Sequence, residues 1–411
     1  MQSLVRNRAS VVRARLQAQH NTQSCRHPRG YRCTVFASVF LLLTGWTAEQ
    51  SAFGQTKQRE PTAQQKQQKK VNDGALMLLS GRPGTSYSIM ARDIASSVSE
   101  AEDVRVLAVD ADGGADSLRD LMFLRGIDMA LVPANVLTHA DATAAFGSGL
   151  PQRLTYIAQL YGEEIHIMVG RGIASIEDLR GKKVAIPPQD GNTEFSVHDV
   201  LRRLKIDAEI VPTATADAID EVRSGALGAL VLMGGKPLRF VAAMPKDGSL
   251  RLLPLPHGEA LGNAYSPSAF RSVDYPSLIA DGQTVETVSV GAVLVANNTP
   301  KTGESYRRVA KFVPAFFSAL SELAGPQWHP KWSEVNLAVN VAGWRRFAAA
   351  EEWLARIKKE QSVVMQRNFE EFLSTTGGPG VSTLSPQRRR ELFEEFVKWT
   401  RKSVGTPQQR P

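Results

Sequence analysis

The sequence predicts an α/β protein built as two lobes. Short apolar strands alternate with amphipathic helices twice over, first in residues 74–163 and again in 164–255. A late apolar run, Thr287 to Ala296, is long enough to lead the chain back into the first lobe over residues 256–345. With 411 residues the chain has room for two separate cores, and its 43% hydrophobic and 22% charged content is that of an ordinary globular protein.

Before the first lobe, residues 1–54 read as a signal peptide with a long basic leader. They hold seven arginines and one acid, so six of the eight net positive charges lie there. The apolar run Val35 to Trp46 follows Arg26, Arg29 and Arg32. It is shorter than the roughly 20 residues a membrane span needs, and the small residues Ala52 and Gly54 place cleavage after Gly54. The mature chain is therefore expected to be periplasmic and not membrane-spanning. Its near-neutral remainder gives no reason to expect a nucleic-acid partner. Cys25 and Cys33 both leave with the leader, which removes any disulfide or thiolate metal site. Residues 55–73, rich in Gln and Lys, read as a solvated linker.

In lobe 1, strands are expected at Leu76 to Leu79, Val104 to Val109 and Met129 to Val132, with helices at Ser86 to Val98 and Ser117 to Arg125. Tyr156 to Leu160 and Ile165 to Val169 read as two strands leading into lobe 2. There the strands are Lys183 to Ile186, Glu209 to Val211 and Leu227 to Leu232, and the helices Thr193 to Leu204 and Asp217 to Ser224. Val309, Phe312, Val313, Phe316, Leu320 and Leu323 form the buried stripe of a long helix. Residues 346–411 are a helical extension broken at Gly377 to Gly380, and its aromatics imply packing on the lobes.

Chemistry is mostly looked for in vain. There is no H-E-x-x-H, no G-x-S-x-G and no Walker A run, so no catalytic residue is assigned and no enzyme is expected. Asp110 to Asp116 has its glycine too early for a calcium loop and reads as a polar turn. His139, His166, His198, His257 and His329 share no ligand spacing; His166 reads as a satisfied structural histidine or one facing a cleft. No metal and no cofactor are expected. What remains is two strand-to-helix turns, Gly84-Thr85-Ser86-Tyr87 in lobe 1 and Gly191-Asn192-Thr193 in lobe 2. Each is either an ordinary N-cap or an anion site, because helix N-termini present free N–H groups and positive dipole. Ligands of open α/β sheets bind outside the carboxyl ends of strands, so both turns can face one cleft.

Ordered motifs give a resemblance. SGRPGTSY at Ser80 to Tyr87, DGGADSLRDL at Asp112 to Leu121, DMALVPANVL at Asp128 to Leu137 and IHIMVGRGIASIEDLRGKKVAI at Ile165 to Ile186 are followed by GNTEFSVHDVL and by GGKP at Gly234 to Pro237. From Leu76 to Leu354 the chain resembles the TAXI solute receptors of tripartite ATP-independent periplasmic (TRAP) transporters. The resemblance implies a type II periplasmic-binding-protein fold, two α/β lobes joined by crossing strands, with the helical C-terminal extension outside the match. It also implies capture of a small anionic, carboxylate-bearing organic solute and its delivery to TRAP membrane subunits; a signalling partner, or an exported enzyme on the same scaffold, are the alternatives. By the same resemblance, Gly84, Thr85, Ser86 and Tyr87 meet the ligand from lobe 1 with Asn135 nearby, and Asn192, Thr193 and Gly235 close from lobe 2. Two positions depart from the family pattern: Asn192 stands where it usually has Gly, and Arg82 replaces a smaller residue. Arg82 is then either a solvated loop charge or a carboxylate clamp.

Overall fold

The structure, a computed structural model, describes Thr62 and residues 74–101, 104–376 and 385–404. The leader, nearly all of the linker and the Gly377–Gly380 break lie outside them.

Lobe 1 opens with β1 (Leu76–Leu79), α1 (Ser86–Ala101), β2 (Val106–Val109), α2 (Gly114–Phe123), β3 (Met129–Pro133), α3 (Ala134–Ala142) and the short α4 (Leu150–Arg153). β1 pairs in parallel with both β2 and β3. The strands are apolar on both faces because helices cover both sides. Met90, Ile94 and Val98 recur every four residues along α1, and all three are fully buried.

β4 (Leu154–Val169) then crosses into lobe 2. The sequence reading split this strand in two at the polar stretch around Glu163 and Glu164. The structure keeps one 16-residue strand because both carboxyls are buried and partnered inside the protein. Lobe 2 follows with β5 (Lys183–Ile186), α5 (Gly191–Arg203), β6 (Glu209–Pro212), α6 (Thr215–Ser224), β7 (Ala229–Gly234), α7 (Arg239–Ala242) and β8 (Arg251–Leu252). β5 is parallel to β6 and β7. The chain stays with lobe 2 beyond residue 255: β9 (Ser266–Arg271) pairs with the first half of β10 (Thr284–Asn297), and Phe270, Tyr275 and Ile279 fill a lobe 2 core with Leu230 and Leu252. The proline-bearing run SPSAFR carries little strand signal, which hid β9.

β10 returns to lobe 1 antiparallel to β3 and β4, completing the strand order β2-β1-β3-β10-β4-β7-β5-β6. Parallel strands flanking a crossing antiparallel pair are the topology of the type II periplasmic-binding-protein fold. At the crossing, Gly162 faces Gly291, and the ladder register shifts just beyond. A Cβ on Gly291 would come within 2.7 Å of the Gln159 amide, so that flexible side chain would have to move aside.

α8 (Glu304–Leu323) then covers the lobe 1 sheet with Phe312, Val313 and Phe316 fully buried. Burial of each such side chain stabilises by about 1.5–3 kcal/mol. α9 (Ala348–Thr376) and α10 (Pro386–Val404) form the extension. Among the described residues, the first turns of α9 join the lobe 1 core, where Trp353 meets Phe317 edge-on at 5.0 Å. Farther out, Phe369 packs against Phe393 and Phe396 of α10. The distal aromatics thus bury one another, and the expectation that the whole tail packs on the lobes holds only for its base.

Candidate functional site

A cavity of about 520 Å³ lies between the lobes. Lobe 1 supplies its walls from Arg82 to Ser86, from Ile89 and Asp93 on α1, and from Gln327 to Pro330. Lobe 2 supplies Pro187, Asp190, Thr215, Leu232, Met233 and the segment Pro237 to Phe240. The site therefore sits at the carboxyl ends of β1, β5 and β7, where the strand-to-helix turns collect.

The lobe 1 turn is built for an open helix end. Gly84 takes φ +86°, which a residue with a side chain rarely adopts, and swings the chain into α1. Thr85 caps locally: its hydroxyl donates to the Arg82 carbonyl at 2.7 Å and accepts from Ser88 N at 3.4 Å. The remaining N–H groups of the first helical turn have no intrahelical acceptors and carry the positive end of the helix dipole. Ser86, 2% exposed, accepts a 2.9 Å bond from Gly235 N, which leaves its hydroxyl proton free to donate. Arg82 reaches across the cleft, and its Nη1 donates to the Pro188 carbonyl of lobe 2. It is half-buried, so the picture of a charge waving in solvent does not apply.

Lobe 2 presents a different chemistry. Asp190 is the N-cap of α5, accepting from Thr193 N at 3.2 Å and from Thr193 Oγ1 at 2.8 Å. The helix end expected to receive an anion thus already holds one of its own. Burial raises the Asp190 carboxyl pKa, opposed by the Thr193 bonds and by the nearby Arg82 charge. The sequence signal was present: Asp directly before a helical Gly-Asn-Thr is an N-cap signature.

Of the nine residues singled out by sequence, Arg82, Gly84, Thr85 and Ser86 line the cavity. The other five lie outside its wall, and four of them spend polar atoms on bonds within or between lobes. Thr193 Oγ1 also accepts from Met233 N at 3.2 Å. Asn192 Oδ1 accepts from Gly114 N at 2.5 Å, while Gly191 N donates to the Asp112 carbonyl at 2.8 Å, so this turn clasps lobe 1 directly. Asn135 Nδ2 donates to Ser196 Oγ at 3.1 Å and Tyr265 Oη at 3.2 Å, both in lobe 2. Gly235 N serves Ser86, as above. Tyr87 is buried against Tyr161, with its hydroxyl beside Glu163 but not aligned on an acceptor.

Behind the cavity lies a buried polar cluster that sequence reasoning missed. Burial, then the nearby Asp190 charge, pushes the Glu163 carboxyl pKa well up; its Oε1 accepts from Tyr161 Oη at 3.3 Å. Glu164 pairs with Lys331 at 2.7 Å, each no more than 2% exposed, and accepts from Lys236 N at 3.0 Å and Ser268 Oγ at 3.1 Å. His166 holds Tyr275 Oη at 2.6 Å through Nε2 and the Glu164 carbonyl at 3.1 Å through Nδ1. Because the Glu164 carbonyl can only accept, the imidazole proton sits on Nδ1, and Tyr275 Oη donates to Nε2 while accepting from Leu238 N at 2.9 Å. Burial lowers the His166 pKa to about 3, so the ring is neutral. His166 is the satisfied structural histidine of the two alternatives. Among the described residues no cluster of His, Cys, Asp and Glu could hold a metal ion, and no helix is long and apolar enough to cross a membrane.

Comparison with known proteins places these features in context. Residues 78–340 match the model of the NMT1-like family. No curated protein sequence matches the chain. Similar solved structures include the substrate-binding protein of an amino acid ABC transporter, at 12% identity and TM-score 0.37 over 63% of this chain and 96% of that one. The periplasmic aliphatic sulphonate-binding protein SsuA from Escherichia coli has 16% identity and TM-score 0.36 over 82% and 94%. A structure described as a periplasmic transporter has 15% identity and TM-score 0.42 over 72% and 97%.

Proposed function

The chain belongs to the NMT1-like family, and from that premise we propose that it is an exported solute-binding protein, which captures a small carboxylate-bearing solute between its lobes and delivers it to TRAP-type membrane subunits. One observation carries the ligand-binding part: the open first turn of α1, the Ser86 hydroxyl and the Arg82 guanidinium all meet at one interlobe cavity. A carboxylate there accepts charge-assisted bonds from lobe 1, while Arg82 also touches lobe 2, so that binding and lobe closure are coupled. The TRAP partner is supported by the ordered motifs from Ser80 to Pro237, and export by the basic leader and its apolar run.

The test is a thermal-shift screen of the mature protein against carboxylates, sulphonates and their neutral amides. Because a ligand that binds only the folded state stabilises it, an acid at 100 times its Kd raises stability by about 2.7 kcal/mol. Acids should raise the melting temperature and amides should not. No shift with any acid, or chemical turnover of one, would overturn the reading.

A further inference from the structure

The cavity holds more than an anion site, and its walls describe the rest of the ligand. It follows α1 from Ser86 past Ile89 to Asp93, seven residues and so about 10 Å of helix. The charged end is Arg82 with Asp190. At the other end, burial raises the Asp93 pKa, although Trp332 Nε1 donates to it at 2.8 Å; burial lowers His329 to about 4, with Arg239 nearby. The lining also holds an apolar group, Ile89 and the Trp328 indole from lobe 1 and Pro237, Leu238 and Phe240 from lobe 2, beside the polar Thr215, Gln327 and Arg239.

Phe240 is the telling member. It is 37% exposed, in a protein whose large apolar side chains are mostly buried, and it lines the cavity. Its support is rigid, since α7 follows Leu238, whose N–H is fixed on Tyr275 and through it on His166. The cavity's volume of about 520 Å³ gives room for an apolar body beside the anion.

We infer that the ligand of this cleft carries an apolar, ring-sized body behind its carboxylate, lying along α1 between Ile89, Leu238, Trp328 and Phe240. The inference rests on the solute-binding reading and narrows its substrate class.

Two probe pairs test it by calorimetric titration: 3-phenylpropanoate against propanoate, and L-phenylalanine against L-alanine. In the pair that binds, the aryl member should be at least tenfold tighter than its small partner. Phe240→Ala should weaken the aryl member about five- to twentyfold and leave the small one unchanged, while Phe240→Trp retains aryl binding. The half-open position of Phe240 makes both variants foldable, which their melting temperatures check. Small members binding as tightly as aryl ones would overturn this inference and leave solute binding standing. An unaffected Phe240→Ala would do the same. If none of the four probes binds, the inference falls; if the wider panel of acids is also silent, solute binding falls with it.

Discussion

Lys331 and Glu164 form an ion pair with almost no access to water; Lys331 also reaches Glu334 at 2.7 Å, so Glu164 is the charge not tolerable there alone. Lys331→Met should therefore destabilise by about 3–5 kcal/mol in urea unfolding, because Glu164 keeps only neutral donors. Removing both charges, as Lys331→Met with Glu164→Gln, should recover much of that loss. His166 gives a second residue-level expectation. Its folded pKa of about 3 lies below the ordinary 6.5, so between these values the unfolded chain binds more protons than the folded one. Its contribution is present above pH 6.5 and is lost as pH falls toward 3. The urea midpoint should drop more between pH 7 and pH 4.5 in the natural protein than in His166→Gln. Equal drops would show that His166 is not what acid attacks. Sequence alone could name His166 as structural from its apolar strand. It could not name Lys331, which lies 167 residues from Glu164 and carries no local signal.

At the scale of elements, the alternation of strands and helices in both lobes was legible because each has one strong periodicity. β4 was not, since its middle is polar and only tertiary partners make it a strand. The two turns were legible as helix starts, but their roles depend on what the other lobe brings opposite. The Gly191-Asn192 turn meets Asp112 and the Gly113-Gly114 pair, and a Cβ on Gly114 would stand 2.6 Å from the Gly191 carbonyl. Gly114 also has φ +56°. Gly114→Ala should hold the lobes apart and weaken ligand binding about tenfold or more; normal affinity would mean that this contact is dispensable for closure. The C-terminal helices make an opposite prediction. Trp353→Ala, which removes the anchor on Phe317, should cost about 1–3 kcal/mol of stability. Truncation after Leu354 removes a hairpin whose described aromatics pack on each other, and should leave the melting temperature nearly unchanged. A large drop would show that the distal hairpin supports the lobes.

For the whole molecule, two separately cored lobes share one pair of crossing strands, and a cavity lies where their helix ends converge. On the proposed solute-binding reading, affinity and lobe closure are one equilibrium, with Arg82 the residue that lines the cavity from lobe 1 and bonds to lobe 2. A charge-assisted bond of this kind is worth about 1.5–3 kcal/mol. The most direct test is calorimetric titration of the aryl probe that binds, 3-phenylpropanoate or L-phenylalanine, into the natural protein and into Arg82→Ala. The account predicts a ten- to hundredfold loss of affinity in the variant, beside a lower unliganded melting temperature from the lost bond to Pro188. Equal affinity in the two proteins would contradict it.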